Sequence, residues 1–308
     1  MTPSAASAPP AEILATAVVP WTERLELDEE LFRQQVRMIA RGLTRHIYIF
    51  GTAGEGYAMN EKQFDAVTAA FWTASQECGV TPMVGLISLS LSTIIGRIER
   101  SRGRGFRTFQ LSLPSWGALN DRELDQFFAE TCGRFPDCTF HHYNLGRTKR
   151  LLTSKEYRRL AAAHPNLVGV KASAEDPAIL ADLLTISPRL RFFFTEIGYA
   201  IARRTHDVGL LISLASVHHA RAKAFISGDH ALRDAAVVEM QAIVASLLRL
   251  GTEGNFHMDG AYDKMLVRVN MPGFPLRLLP PYAFPTDDHF ARFLDALPPN
   301  WKPDPVTR

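Results

Sequence analysis

Short apolar and β-branched runs alternate along the chain with longer stretches whose apolar positions recur at helical spacing, the signatures of strands and amphipathic helices. Residues 14–21 read as a first strand and residues 28–41 as a helix. Residues 46–50 form a second strand that runs into a glycine-rich loop, residues 51–56. Asn60 is placed to cap a helix reaching about residue 76. The alternation then repeats. Strands fall at 82–88, 108–113, 139–143, 167–171, 191–194 and 210–214. The helices that follow them lie near 92–101, 121–133, 154–163, 177–185, 199–204 and 216–225.

Eight strand–helix pairs in succession imply parallel strands joined by crossover helices. They predict an α/β fold, a closed (β/α)8 TIM barrel. A doubly wound open sheet is the competing architecture, and the similar length of the repeats favours the barrel. The barrel is expected over residues 12–226, behind an Ala-, Pro- and Ser-rich segment, residues 1–11, expected to be disordered. Residues 227–308 predict a C-terminal helical extension packed on the barrel. Its helices are expected at 230–250, 261–270 and 287–296, with a proline-rich irregular connection at 272–285.

Bulk properties narrow the function classes. The 308 residues are 46% hydrophobic, enough to bury a sizeable core. A net charge of +2 gives no support for nucleic acid or membrane as a partner. Cys78, Cys132 and Cys138 are scattered with no C-x-x-C spacing, which argues against a disulfide framework or zinc site and for a reducing, cytoplasmic location. No Lys or Arg precedes Arg24, so no secretory n-region is read, and the apolar runs fall short of a membrane span. The basic stretch 102–107 reads as the solvated C-terminus of a helix.

In a barrel the active site lies at the carboxyl ends of the strands, so the strand ends are the candidate site. The sixth strand ends Leu167-Val168-Gly169-Val170-Lys171. Apolar surroundings penalise the ammonium form and make the amine a nucleophile toward carbonyls. The alternative is a lysine that buries its stem and hydrates its head. The fifth strand ends in Tyr143, whose hydroxyl either relays a proton or packs on a neighbouring loop. The second delivers Gly51-Thr52-Ala53-Gly54-Glu55-Gly56, either a nest of N–H groups for an anion or simply a tight βα turn. His141, His142, His218 and His219 form adjacent pairs. On a strand such neighbours point to opposite faces, so no metal and no cofactor are expected.

The combination of Gly51-Thr52-Ala53-Gly54-Glu55-Gly56, Tyr143-Asn144 and Gly169-Val170-Lys171-Ala172-Ser173 resembles the dihydrodipicolinate synthase / N-acetylneuraminate lyase family. Its members are class I, Schiff-base-forming aldolases and lyases acting on pyruvate and related 2-oxo acids. The resemblance runs from Leu14 to about Leu297 and is specific for the superfamily, not for a substrate. It implies that Lys171 forms the Schiff base, that Tyr143 relays protons and that Thr52 hydrogen-bonds the tyrosine. It further implies that the amides of Thr52 and Ala53 hold the keto-acid carboxylate and that Ile212 lines the pyruvate pocket. A homo-oligomer, dimer or tetramer, is implied as well.

Departures from the family pattern set the expected subfamily. Ala53 stands where a second hydroxyl residue is common. Trp116, after Pro114, stands where dihydrodipicolinate synthases carry paired tyrosines, one of which reaches the neighbouring subunit's relay. The usual Y-N-x-P reads Tyr143-Asn144-Leu145-Gly146. Arg147 either matches the arginine that binds the second substrate's carboxylate or belongs to a solvated basic run, residues 147–150. Trp116 and Arg147 are therefore both carried as candidate substrate-binding positions. The expectation is a lyase, aldolase or dehydratase acting on a small-molecule 2-oxo acid, with an aldehyde as second partner. An authentic 4-hydroxy-tetrahydrodipicolinate synthase and a non-catalytic 2-oxo acid binding protein are the alternatives.

Overall fold

The computed structural model describes residues 12–187, 189–256 and 259–303; the segment 1–11, expected to be disordered, lies outside them. Eight parallel strands close into a barrel in sequence order: β1 (Ile13–Thr16), β2 (His46–Ile49), β3 (Thr81–Leu86), β4 (Thr108–Leu111), β5 (Thr139–Asn144), β6 (Leu167–Ala172), β7 (Arg191–Phe194) and β8 (Gly209–Leu211). The crossovers are α1 (Glu29–Gly42), α2 (Glu61–Cys78), α3 (Leu91–Arg104), α4 (Asp121–Phe128), α5 (Ser154–Ala163), α6 (Pro177–Leu184) and α7 (Glu196–Ala202), and α8 (His219–Ser227) follows β8. Helix starts follow capping chemistry. Asn60 and Asn120 each accept from the N3 amide, while the N3 side chain bonds back to the cap.

The strands alternate by face. Outward side chains such as Ile47, Val84, Phe109, Val170 and Phe192 join the main core beneath the helices. Inward ones, Leu14, Tyr48, Met83, Phe193 and Leu211, form a separate small cluster inside the barrel. There, large rings face glycines: a Cβ on Gly169 would meet His141 at 2.2 Å, and one on Gly209 would meet Phe193 at 2.4 Å. Ion pairs stand at the opposite end from the site, His46 to Glu12 at 2.8 Å and Arg191 to Glu12 at 3.4 Å.

Several bounds differ from the sequence reading. The first strand stops at Thr16, not at Trp21. The run beyond it is buried, but only Ala17 still bonds the β2 backbone, and the Val18 amide is taken by the Gln35 side chain. The eighth strand stops at Leu211, because Leu214–Val217 turns into a 3-10 helix. The helix after β7 starts at Glu196, three residues earlier than Tyr199.

Three further helices follow the barrel: α9 (His230–Glu253), α10 (Ala261–Asn270) and α11 (Asp287–Ala296). Helix α9 corrects the reading that the apolar runs fall short of a membrane span. It is long and apolar enough to cross one by length and composition. Here it packs on α7, α8 and α11 and buries Met240, Ile243, Leu247 and Leu250. The sequence reading places this helix at 230–250, three residues short of its observed end; Arg233, Asp234, Glu239 and Arg249 keep it from reading as one unbroken apolar run.

Candidate active site

A cavity of about 530 Å³ opens at the carboxyl ends of the strands, roofed by α9 and the start of α10. That is an ordinary volume for a small-molecule site. Lys171, Tyr143, Thr52, Ala53 and Ile212 all line it.

Lys171 points inward from β6 and is 2% exposed. Its Nζ donates to Tyr48 Oη at 2.9 Å and to Gln110 Oε1 at 3.1 Å, both neutral groups. The amine also lies 3.9 Å from the Tyr143 ring centre and 4.1 Å from that of Tyr48. Burial drives its pKa down from 10.5 to about 7, against the opposing pull of the Asp259 and Asp263 carboxylates. A buried lysine with no carboxylate in contact gives up its proton readily, which is what a nucleophilic amine needs.

Tyr143 is Lys171's direct cross-strand partner in the β5–β6 register. Burial raises its pKa, and hydrogen bonding to Thr52 pulls it back. The phenol therefore keeps its proton until a reacting oxygen takes it.

The loop after β2 uses its glycines for close approach. The residues with positive φ are Phe50 at 62° and Glu55 at 56°. A Cβ on Gly51 would sit 2.6 Å from the Tyr48 ring and 3.1 Å from Lys171 Nζ; those on Gly54 and Gly56 would strike the Phe50 backbone. Among the described residues, neither Thr52 nor Ala53 has a partner for its backbone N–H, although both residues are buried. Two adjacent unpaired amides beside a lysine form a receptacle for a carboxylate. Glu55 fixes the loop from behind. Its carboxylate accepts from Trp21 Nε1 at 2.9 Å, Lys264 Nζ at 2.7 Å and the Leu279 amide at 2.7 Å.

The remaining sequence candidates lie elsewhere. Arg147 pairs with Asp259 at 3.0 Å and is absent from the cavity lining, though Asp259 itself lines it. Trp116 sits in the loop after β4, is 85% exposed and does not line the cavity in this single chain. His141 shares the inner face with Phe193, whereas His142 faces outward and bonds the Tyr157 hydroxyl at 2.7 Å. Burial lowers their pKa values to about 4 and about 3.

Sequence reasoning missed Tyr48, Gln110, Glu196, Asp259, Tyr262 and Asp263. The first two were accessible from strand alternation, since both face inward. Glu196 is buried at the end of β7 and holds the amides of Ser213 and Ala215 at 2.7 and 3.0 Å. Asp263 is buried on α10, accepts from the Gly260 amide at 2.7 Å, and is pushed up to about 7 by burial and the Asp259 charge. Its position on an appended helix gave no signal that it belongs to a barrel mouth.

Fold and cavity together define a (β/α)8 barrel protein with a lysine-centred pocket at the carboxyl ends of its strands. Residues 9–194 match the dihydrodipicolinate synthetase family, and the chain belongs to that family. It is 28% identical over 162 residues to 4-hydroxy-tetrahydrodipicolinate synthase of Thermus thermophilus, covering 52% of this chain and 54% of that protein. The chain thus matches about half the length of the curated relative. Among solved structures, it is similar to the E. coli K12 prophage protein YagE, of the dihydrodipicolinic acid synthase family, in complex with pyruvate. There the TM-score is 0.80 at 15% identity, covering 93% of this chain and 97% of that one. Proteus mirabilis N-acetylneuraminate lyase is similar with a TM-score of 0.77 at 16% identity, covering 93% and 97%. At such identities these two structures establish the fold alone.

Proposed function

We propose that this protein is a class I, Schiff-base-forming lyase or aldolase acting on pyruvate or a related 2-oxo acid. The observation that carries the reading is the Lys171 amine, buried against neutral partners and drawn down to about pKa 7 beside Tyr143.

The steps follow from that placement. The 2-oxo acid carboxylate docks on the amides of Thr52 and Ala53, with Ile212 against its methyl group. Neutral Lys171 Nζ adds to the C2 carbonyl, and Tyr143 supplies the proton with which the carbinolamine oxygen leaves as water. The resulting iminium withdraws electrons from C3, so the Tyr143 phenolate takes back a proton from C3, giving an enamine and restoring the phenol. The enamine carbon attacks an aldehyde, forming one C–C bond, and the new alkoxide takes a proton from Tyr143. Water then hydrolyses the iminium, returning the lysine and releasing a 4-hydroxy-2-oxo acid. Run backwards, the sequence cleaves that bond. The same enamine expels a C4 hydroxyl as water when the substrate is a 3-deoxy-2-oxo acid.

Trp116 is carried as a position at a subunit contact of a dimer or tetramer, and a cytoplasmic location accompanies the reading. Residues 12–226 are taken as the barrel unit and 227–308 as its extension. Lining the cavity with residues from both makes the extension part of the site.

The test is trapping. Pyruvate and borohydride should leave a reduced adduct on the wild-type chain, detected by mass spectrometry, and none on Lys171→Ala. No adduct on wild type with pyruvate or longer 2-oxo acids, or one that persists in the variant, removes the Schiff-base assignment. Aspartate semialdehyde as the best acceptor would identify a true 4-hydroxy-tetrahydrodipicolinate synthase instead.

A further inference from the structure

The cavity is larger than a keto acid needs, and its two ends differ. Around Lys171 the lining is mixed: Thr16, Tyr48, Thr52, Tyr143 and Thr195 supply polar groups at strand ends, beside Ala53, Leu211 and Ile212. Away from the lysine, α9 supplies Val244, Leu247 and Leu248, joined by Ile197, Leu214 and Phe256, with Thr252 and Asn255 as polar members near its end. Among the described lining residues, Lys171 is the one cationic side chain, against four carboxylates on Glu175, Glu196, Asp259 and Asp263. The nearby arginine, Arg147, is held by Asp259 and stands outside the lining. Among the described residues no uncommitted cation faces an acceptor that carried a carboxylate or phosphate, because Lys171 is taken by the keto acid and Arg147 by Asp259, so its charge would be desolvated at a cost that nothing there returns. An apolar body would instead cover Leu247, Leu248 and Val244 and remove their surface from water.

We infer that the second substrate is an uncharged aldehyde with an apolar body, aromatic or branched alkyl. Equivalently, the 4-hydroxy-2-oxo acid that is cleaved bears such a group on C4. The inference rests on the Schiff-base reading above and specifies its acceptor. Bond making is the step already written: the enamine carbon of the pyruvate adduct joins the aldehyde carbon, whose oxygen is protonated. No oxidant or further reactant is required. The residues assigned to acceptor choice are Leu247, Leu248 and Val244. Leu248 is the most accessible of these, at 68% exposed, and tolerates a charge without opening the core.

The experiment pairs trapping with a size-matched acceptor panel. Pyruvate is supplied with benzaldehyde, 3-methylbutanal, succinic semialdehyde, glyceraldehyde and glyceraldehyde 3-phosphate, and kcat/KM is measured for each. Benzaldehyde or 3-methylbutanal should exceed each of the other three by about tenfold or more, the scale on which hydrophobic pockets discriminate. Leu248→Arg should narrow or reverse the gap toward succinic semialdehyde by a similar factor. Its borohydride adduct with pyruvate alone reports an intact lysine site. If wild type is trapped by pyruvate yet prefers the semialdehyde, the phosphate or the polyhydroxy aldehyde, the acceptor inference falls and the Schiff-base reading stands. If Leu248→Arg is trapped but leaves the ranking untouched, the α9 wall does not select the acceptor. If wild type is not trapped at all, the underlying reading falls and this inference with it.

Discussion

The molecule buries two lysines close to one cavity, and they have opposite surroundings. Lys171 is 2% exposed and contacts a phenol and an amide; Lys264, on α10, is 0% exposed and meets the Glu55 carboxylate at 2.7 Å and the Arg277 carbonyl. Burial lowers both, to about 7 and about 8, but at Lys264 the Glu55 charge and hydrogen bond pull back. A lysine matched to a carboxylate is anchored as a cation and holds the loop after β2 in place. A lysine left among neutral dipoles loses its proton and is available for chemistry. Burial alone does not mark the reactive amine; the partner does.

The sharpest break in this comparison is Lys171→Ala. It should abolish the borohydride adduct completely while the chain keeps its thermal unfolding midpoint or gains in it. Next, Lys264→Met strands the Glu55 carboxylate and should cost about 3–5 kcal/mol in denaturant unfolding. In soluble Lys264→Met protein, any surviving adduct should still map to Lys171.

Tyr143→Phe removes the relayed proton. It should lower kcat about 10²-fold, the low end for a positioned acid–base group. A fall confined to KM would reassign Tyr143 to packing. Titration comes next in size. Because the lysine must be neutral to add, the trapping rate should climb about tenfold per pH unit below pH 7 and level off above it. The same depression makes the unfolded chain bind the extra proton between about pH 7 and 10.5. Stability contributed at this site should therefore rise with pH across that window, and Lys171→Met should flatten the rise. The smallest effect belongs to Asp263→Asn. Asp263 opposes the lowering of the Lys171 pKa, so its loss should move the trapping midpoint downward by less than about one unit. An upward move would contradict the assigned charge coupling.

Much of this is legible in the sequence. Strand alternation and the eight repeats located β2, β5 and β6 to within a residue or two, and with them Lys171, Tyr143 and the glycine loop. Parallel strands buried on both faces leave long apolar runs, so their ends stand out as the first polar positions. What escaped was non-local. Trp21 reads as strand, yet its indole is committed to Glu55, 34 positions on. Asp263 and Leu248 belong to helices whose docking over the barrel mouth no local periodicity encodes. Lys264 looks like an ordinary helical lysine until its partner is known.

One consequence follows from the β5–β6 register. Tyr143 and Lys171 are paired residues of one hydrogen-bonded ladder, so the distance between them is set by strand spacing and changes only if the barrel itself opens. The α9 wall is attached through side chains, by packing and by pairs such as Arg204 with Asp234 and Arg221 with Glu239, rather than by a backbone ladder. Local opening samples such an attachment long before it samples a closed sheet. Warming should therefore blur the choice of aldehyde while the lysine continues to capture the keto acid, and a panel of acceptors measured against temperature would lose its spread before trapping loses its yield.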